Sequence, residues 1–273
     1  MDRRDTRSKF AELLFARHFV GDAFTDELFN TDSNEREKVC SWKIQSYMPL
    51  FSPLTSQSWR WRAVGIPLDL VDKSIAGDID LMFAVPPWPN TSGQRAETTY
   101  RCYELKTSKV KLTGEVKSLK EGKFRKTIGQ LEKLMEFGAP QVFLLEAYIL
   151  EAGYSRTVAG KMPIEVRNSI SRKLERLNCL DCGYVALPIE QIPGYDENAT
   201  GLVWPAEFVK RAKSRPMRGS FLKLIGAIEE CVRSSTISKY RLVVTYCFSC
   251  RHLTAISAKG PYICNRCKSA LVS

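Results

Sequence analysis

"TTYRCYELKT" (residues 98–107) decides how the chain is read. Tyr100, Cys102, Glu104 and Lys106 alternate with Arg101, Tyr103, Leu105 and Thr107, the two-residue period of a strand. On that period Glu104 and Lys106 share a face. Upstream, "GDIDLMFAV" (77–85) reads as a second strand with Asp78 and Asp80 on one face. The Pro-, Asn- and Gly-bearing "PPWPNTSGQRAE" (86–97) is the loop between them. Hairpin pairing of the two strands sets Asp80 beside Glu104. A lysine flanked by carboxylates inside a core sheet needs a reason, because buried charges are costly unless paired or metal-bound. The triplet alone is weak evidence: a second one, "EGK" at 121–123, falls in a Gly/Lys-rich connector and reads as a solvated pair.

The flanking segments extend the pattern. "TRSKFAELLFARHFV" (6–20) has helical spacing, and a second helix is expected over 33–47. "SWRWRAVGIPLDLV" (58–71) reads as a strand. After the 77–107 hairpin, "RKTIGQLEKLMEFG" (125–138) is a helix, with Ile128, Leu131, Leu134 and Met135 on one side and Gly138 to stop it. "APQVFLLEAYIL" (139–150) is a buried strand, "MPIEVRNSISRKLERLN" (162–178) a helix with Pro163 near its start, and "GYVALPIEQI" (183–192) a strand. "SFLKLIGAIEECVRSS" (220–235) is a further helix. The order is α/β, and the β-α-β run over 139–190 implies a parallel strand pair.

The 273 residues carry a net charge of +11. From Glu207 onward thirteen lysines and arginines face three acids, Glu207, Glu229 and Glu230, so nearly all the surplus sits in the last quarter. That asymmetry suggests a polyanionic partner, nucleic acid before membrane. The start lacks the apolar core of a secretory signal, and no stretch approaches the roughly 18 apolar residues of a spanning helix. A cytoplasmic protein is expected, or a nucleoid or nuclear one. His18 and His252 are the only histidines, which excludes histidine-dependent metal nucleases and HExxH hydrolases. "GYSRTVAGKM" (153–162) lacks the spacing and the Ser/Thr of a phosphate loop.

"GDID…YELK" resembles the signature of the PD-(D/E)xK nuclease superfamily. In its RecB-like branch the aspartate lies in a Gly-x-hydrophobic-Asp strand, matched by Gly77–Asp78–Ile79–Asp80, and the D/E-x-K triplet is Glu104–Leu105–Lys106. A glutamine on the following helix is matched by Gln130. Four residues later, where that branch has a tyrosine, stands Leu134. The resemblance implies a restriction-endonuclease-like mixed sheet flanked by helices. It implies catalysis with Mg²⁺ or Mn²⁺ held by Asp80, Glu104 and the Leu105 carbonyl, with Lys106 acting on the attacking water. Asp78 is a weaker acid candidate, and Glu12 on the first helix is another. Mg²⁺ suits such a set because it takes one or two carboxylates and keeps water and phosphate as its other ligands.

Near the end, "CFSC" (247–250) and "CNRC" (264–267) give C-x2-C, thirteen residues, C-x2-C. Cys247, Cys250, Cys264 and Cys267 are the ligand set of a closed tetrahedral zinc site, with "YRLVVTY" and "HLTAISAKGPYI" as the strands of a ribbon. An iron–sulfur cluster is the other option. "CLDC" (179–182) is a lone knuckle, either half of a second site with Cys40 or Cys231 or a pair of reduced thiols. The expected organisation is a nuclease-like domain over 1–205, a basic linker helix over 206–238 and a small four-cysteine zinc ribbon over 239–273. The basic ribbon can track phosphates or dock a protein partner.

The expected function is a metal-dependent nuclease, DNA before RNA as substrate, with an endonuclease favoured. It would work alone, as a homodimer suited to double-strand cutting, or as a subunit of a restriction, defence, recombination or transposition complex. The alternative is a non-catalytic nucleic-acid-binding or scaffolding protein on a degenerate nuclease fold.

Overall fold

The computed structural model describes residues 61–85, 98–111, 113, 116–117, 121–150, 164–189, 207–237, 242–257 and 262–271. The helices expected over 6–20 and 33–47, the 86–97 loop, and Glu12, His18 and Cys40 lie outside them. Nine strands form a single mixed sheet: β1 (Trp61–Pro67), β2 (Asp78–Val85), β3 (Thr99–Val110), β4 (Val116–Lys117), β5 (Gln141–Leu150), β6 (Gly183–Ile189), β7 (Glu207–Lys210), β8 (Leu242–Cys247) and β9 (His252–Ser257). The order across it is β7-β6-β5-β3-β2-β1-β8-β9, with the short β4 beside β3. Among the described residues three helices, α1 (Glu121–Glu136), α2 (Ile164–Leu177) and α3 (Ser220–Arg233), accompany the sheet in an α/β architecture.

The hairpin is as expected: β2 and β3 pair antiparallel, with Leu81 opposite Tyr103 and Met82 opposite Cys102. β3 runs parallel to β5, β5 to β6, and β1 to β8. The carboxyl ends of β1, β3, β5, β6 and β8 therefore gather at one end of the sheet. In parallel sheets that end is where ligands commonly bind.

One face of the sheet carries the helices. Met82, Ala84, Tyr100, Cys102, Leu144, Tyr148, Tyr184 and Val244 pack there with Leu131 and Leu134 of α1, Ile170 of α2, and Phe221, Leu224 and Ile228 of α3. Trp61, Tyr100, Phe221 and Phe137 form a chain of ring contacts, with centroids 5.7, 6.1 and 6.2 Å apart in turn. Edge-to-face geometry adds to the area such rings bury.

Some elements depart from the sequence reading. The strand expected over 58–71 ends at Pro67 and gives way to a 3-10 turn over Leu68–Leu70. "EGK" at 121–123 is not in a connector but opens α1. The 206–238 segment supplies edge strand β7 and core helix α3. α3 is tied down at both ends: Ser220 Oγ donates to Asp72 Oδ2 at 3.0 Å, and Trp61 Nε1 donates to Glu229 Oε1 at 2.8 Å. At its entry Gly138 has φ +100°, and a Cβ there would lie 2.1 Å from the Arg218 carbonyl oxygen, so only glycine fits. The cysteine-bearing hairpin β8–β9 extends the main sheet through β1, with Thr245 Oγ1 donating to Val64 O at 2.9 Å.

Candidate active site

The ladder between β2 and β3 is regular as far as Leu81 and Tyr103. Just past it the Leu105 amide donates to a side chain, Asp80 Oδ2, at 2.6 Å. The strands part here, and a carboxylate takes the bond that a backbone carbonyl would otherwise accept. Glu104 is almost wholly buried, and Lys106 is 9% exposed. Lys106 Nζ donates to Glu104 Oε1 at 2.7 Å and to the Leu105 carbonyl at 2.9 Å. Asp80 is half-buried and Asp78 exposed, so the acids step from solvent into the core.

Burial pushes the Asp80 carboxyl well above its ordinary range, and the Glu104 charge pushes it further. Lys106 draws it back and Asp78 raises it again. Burial is the largest of these causes and the neighbouring carboxylates add to it, so the neutral form of the Asp80 carboxyl is favoured. Among the described residues no third acid joins Asp80 and Glu104 closely enough to complete a three-ligand acidic group. The hard donors brought together are two carboxylates and the Leu105 carbonyl, a set that fits Mg²⁺ or Mn²⁺ with water and substrate oxygens completing the shell. Gln130 lies half-buried on α1, and among the described residues no hydrogen bond joins it to Asp80, Glu104 or Lys106.

A second polar cluster continues inward, and the sequence reading did not single it out. Lys106 is the register partner of Glu146 on β5. Glu146 is fully buried, yet both its oxygens are well supplied with donors. Oε1 accepts from Ser108 Oγ at 2.5 Å and from Lys173 Nζ of α2. Oε2 accepts from Tyr148 OH at 2.8 Å and Tyr184 OH at 2.7 Å. Burial, and then the Glu146 charge, raise both tyrosines well above their ordinary values, so they stay protonated donors. The one sequence signal was a lone glutamate inside the apolar run "QVFLLEAYIL".

Cys247, Cys250, Cys264 and Cys267 bring their sulfurs within 4.8 Å of one another. Cys247 and Cys267 Sγ are 3.5 Å apart, Cys250 and Cys264 Sγ 3.7 Å. Disulfides need about 2.05 Å. Tetrahedral Zn–S bonds of about 2.3 Å place sulfurs roughly 3.8 Å apart. The four cysteines can therefore hold a structural metal such as zinc. Bonds from Ser269 draw the Cys267 thiol down to about 6, towards the thiolate a metal needs. Each knuckle closes through a matched bond, Arg251 N to Cys247 O at 2.7 Å and Lys268 N to Cys264 O at 3.0 Å.

The "CLDC" knuckle makes no second metal group among the described residues. Cys179 is exposed and Cys182 buried. The intervening Asp181 instead takes Arg215 at 2.6 Å and Lys213 at 2.8 Å. No helix among the described residues is long and apolar enough to cross a membrane. Comparison with protein-family models, with curated proteins and with solved structures returns no match.

Proposed function

We propose that the chain is a metal-dependent nuclease of the PD-(D/E)xK type, hydrolysing phosphodiester bonds, in DNA before RNA, on a restriction-endonuclease-like sheet. The observation that carries this is the meeting of Asp80, Glu104, the Leu105 carbonyl and Lys106 where β2 and β3 part, with Asp80 strained by its own burial and by Glu104. Asp80 and Glu104, with Leu105 O, would hold Mg²⁺ or Mn²⁺. The bound ion supplies neutralisation of the phosphate and a water acidic enough to attack it. Lys106 orients that water and donates to the charge that develops on the phosphate. Asp78 is exposed and Asp80 half-buried, so the acids can be reached from solvent.

A second reading, a non-catalytic nucleic-acid binder on the same kind of fold, draws on one observation. Lys106 Nζ already donates to both Glu104 Oε1 and Leu105 O, two of the oxygens a metal would use. Incubation of plasmid and single-stranded DNA with Mg²⁺ or Mn²⁺ separates the two. The nuclease reading expects cleavage by the wild type, none in EDTA, and none by a folded Lys106→Ala variant. Binding without cleavage under every metal supports the second reading.

A further inference from the structure

The two metal knuckles repeat one unusual feature. Arg251 follows Cys250 and Lys268 follows Cys267, so both sit just past the second cysteine of a knuckle. Their φ values are +58° and +61°, the only positive φ values of non-glycine residues among the described positions. The left-handed region costs an L-residue about 1–2 kcal/mol, and glycine would remove that cost. Neither knuckle uses glycine. Each carries a long cation there with an exposed side chain; Lys268 Nζ also donates to the Asn265 carbonyl of its own knuckle at 3.1 Å, whereas Arg251 lies on the knuckle that bears Phe248. Backbone strain kept at two matched positions points from the outlier towards a use for the side chain.

The surroundings say what the use is. Residues 231–273 contain seven lysines and arginines and no aspartate or glutamate. At the first knuckle's tip Phe248 is 71% exposed, the most exposed of the large hydrophobic side chains described. It meets Tyr246 in an edge contact, centroids 5.0 Å apart at 84°. A solvent-facing ring among cations is the arrangement on which unpaired bases stack while the backbone is neutralised.

The sheet puts this surface near the acids. β8 runs parallel to β1, with Val64 opposite Thr245. The β1–β8 ladder ends at that pair; two residues further along β1, Ile66 pairs with Ile79 of β2, the neighbour of Asp80, and two residues further along β8 stands Cys247. β8 is two strands from β2, about 10 Å at ordinary strand spacing. Phosphates of one DNA strand lie about 3.4 Å apart along a duplex. The knuckles and the acids can thus touch one strand within a few nucleotides.

The geometry points to the paired knuckles as a single-strand nucleic-acid-binding surface, with Phe248 stacking on a base and Arg251, Arg266 and Lys268 neutralising phosphates beside the catalytic junction. This rests on the nuclease reading only for what happens to the bound strand.

The test uses the full-length, zinc-loaded chain and fluorescein-labelled oligothymidylate, without Mg²⁺, read by anisotropy across a salt series. Arg251→Gly/Lys268→Gly keeps zinc and thermal stability at or above wild type, since glycine suits the backbone. It weakens binding and lowers the salt slope by about 1.4, at about 0.7 per lost single-strand phosphate contact. Phe248→Ala weakens binding at least about fivefold with the slope unchanged, and Phe248→Trp restores it. Wild-type affinity and slope in the glycine variant, or unchanged binding by Phe248→Ala, overturns the inference, as does a wild type that binds no single strand at low salt. Cleavage is scored separately. A wild type that cuts while these variants bind normally sinks the surface and spares the nuclease; altered binding with no cutting does the reverse.

Discussion

Replacing Lys173 by methionine tests the buried cluster that backs the candidate site. The change keeps the apolar stem and deletes the ammonium that meets Glu146 Oε1. At an effective dielectric near 20, a charge pair at 4 Å is worth about 4 kcal/mol, and breaking a buried pair costs about 3–5 kcal/mol. Glu146 keeps three hydroxyl donors, Ser108, Tyr148 and Tyr184, and the ammonium no longer has to be desolvated. The loss should fall at the low end, about 3 kcal/mol. Pairing it with Glu146→Gln removes the stranded charge while leaving an acceptor for the hydroxyls. The double variant should be about 1–2 kcal/mol more stable than Lys173→Met alone. Urea unfolding followed by circular dichroism reads both, and a loss of about 3 kcal/mol moves the midpoint by roughly 1–1.5 M for an m-value of about 2–3 kcal/mol/M. A Lys173→Met midpoint within experimental error of wild type, or a double variant no better than the single, would refute the view that the Lys173–Glu146 contact is a stabilising buried pair.

Other outcomes follow from the same structure. Gly138→Ala should destabilise by more than about 2 kcal/mol in urea, since its Cβ would strike the Arg218 carbonyl at a positive φ. Cys264→Ser should abolish zinc in elemental analysis and lower the melting temperature of the whole chain, because β8 is bonded into the main sheet. Tyr148 and Tyr184, raised by burial and by Glu146, hold their protons when folded and lose them near pH 10 when unfolded. Their contribution is complete below about pH 10 and is lost as pH rises towards the folded values. Ultraviolet titration should show both silent until the chain unfolds, and Glu146→Gln should lower their onset.

How far the sequence carried the account depends on the range of each interaction. The alternation in β2 and β3 is local, so the strands, the hairpin and the approach of Asp80 to Glu104 could be read directly, as could the four C-terminal cysteines. Gly138 as a helix stop was legible for the same reason. Glu146 was not, because apart from Tyr148 on its own strand its partners arrive from β3, β6 and α2, and Lys173 lies 27 residues away. A glutamate in an apolar run does not announce its donors. The sequence reads 206–238 as a basic linker helix; the helix is there over Ser220–Arg233, but Phe221, Leu224, Ile228 and Val232 are buried in the core by contacts distant in sequence. The union of β8 with β1 spans 181 residues between Val64 and Thr245, and no local pattern encodes it.

The proposed nuclease needs a divalent-cation site at Asp80 and Glu104. Titration of Mn²⁺ into the zinc-loaded chain, read by electron paramagnetic resonance, tests it most directly. Saturable Mn²⁺ binding is expected of the wild type and should be lost in Glu104→Gln, with zinc content and unfolding cooperativity kept. Equal Mn²⁺ binding by both proteins, or none by either, would contradict it.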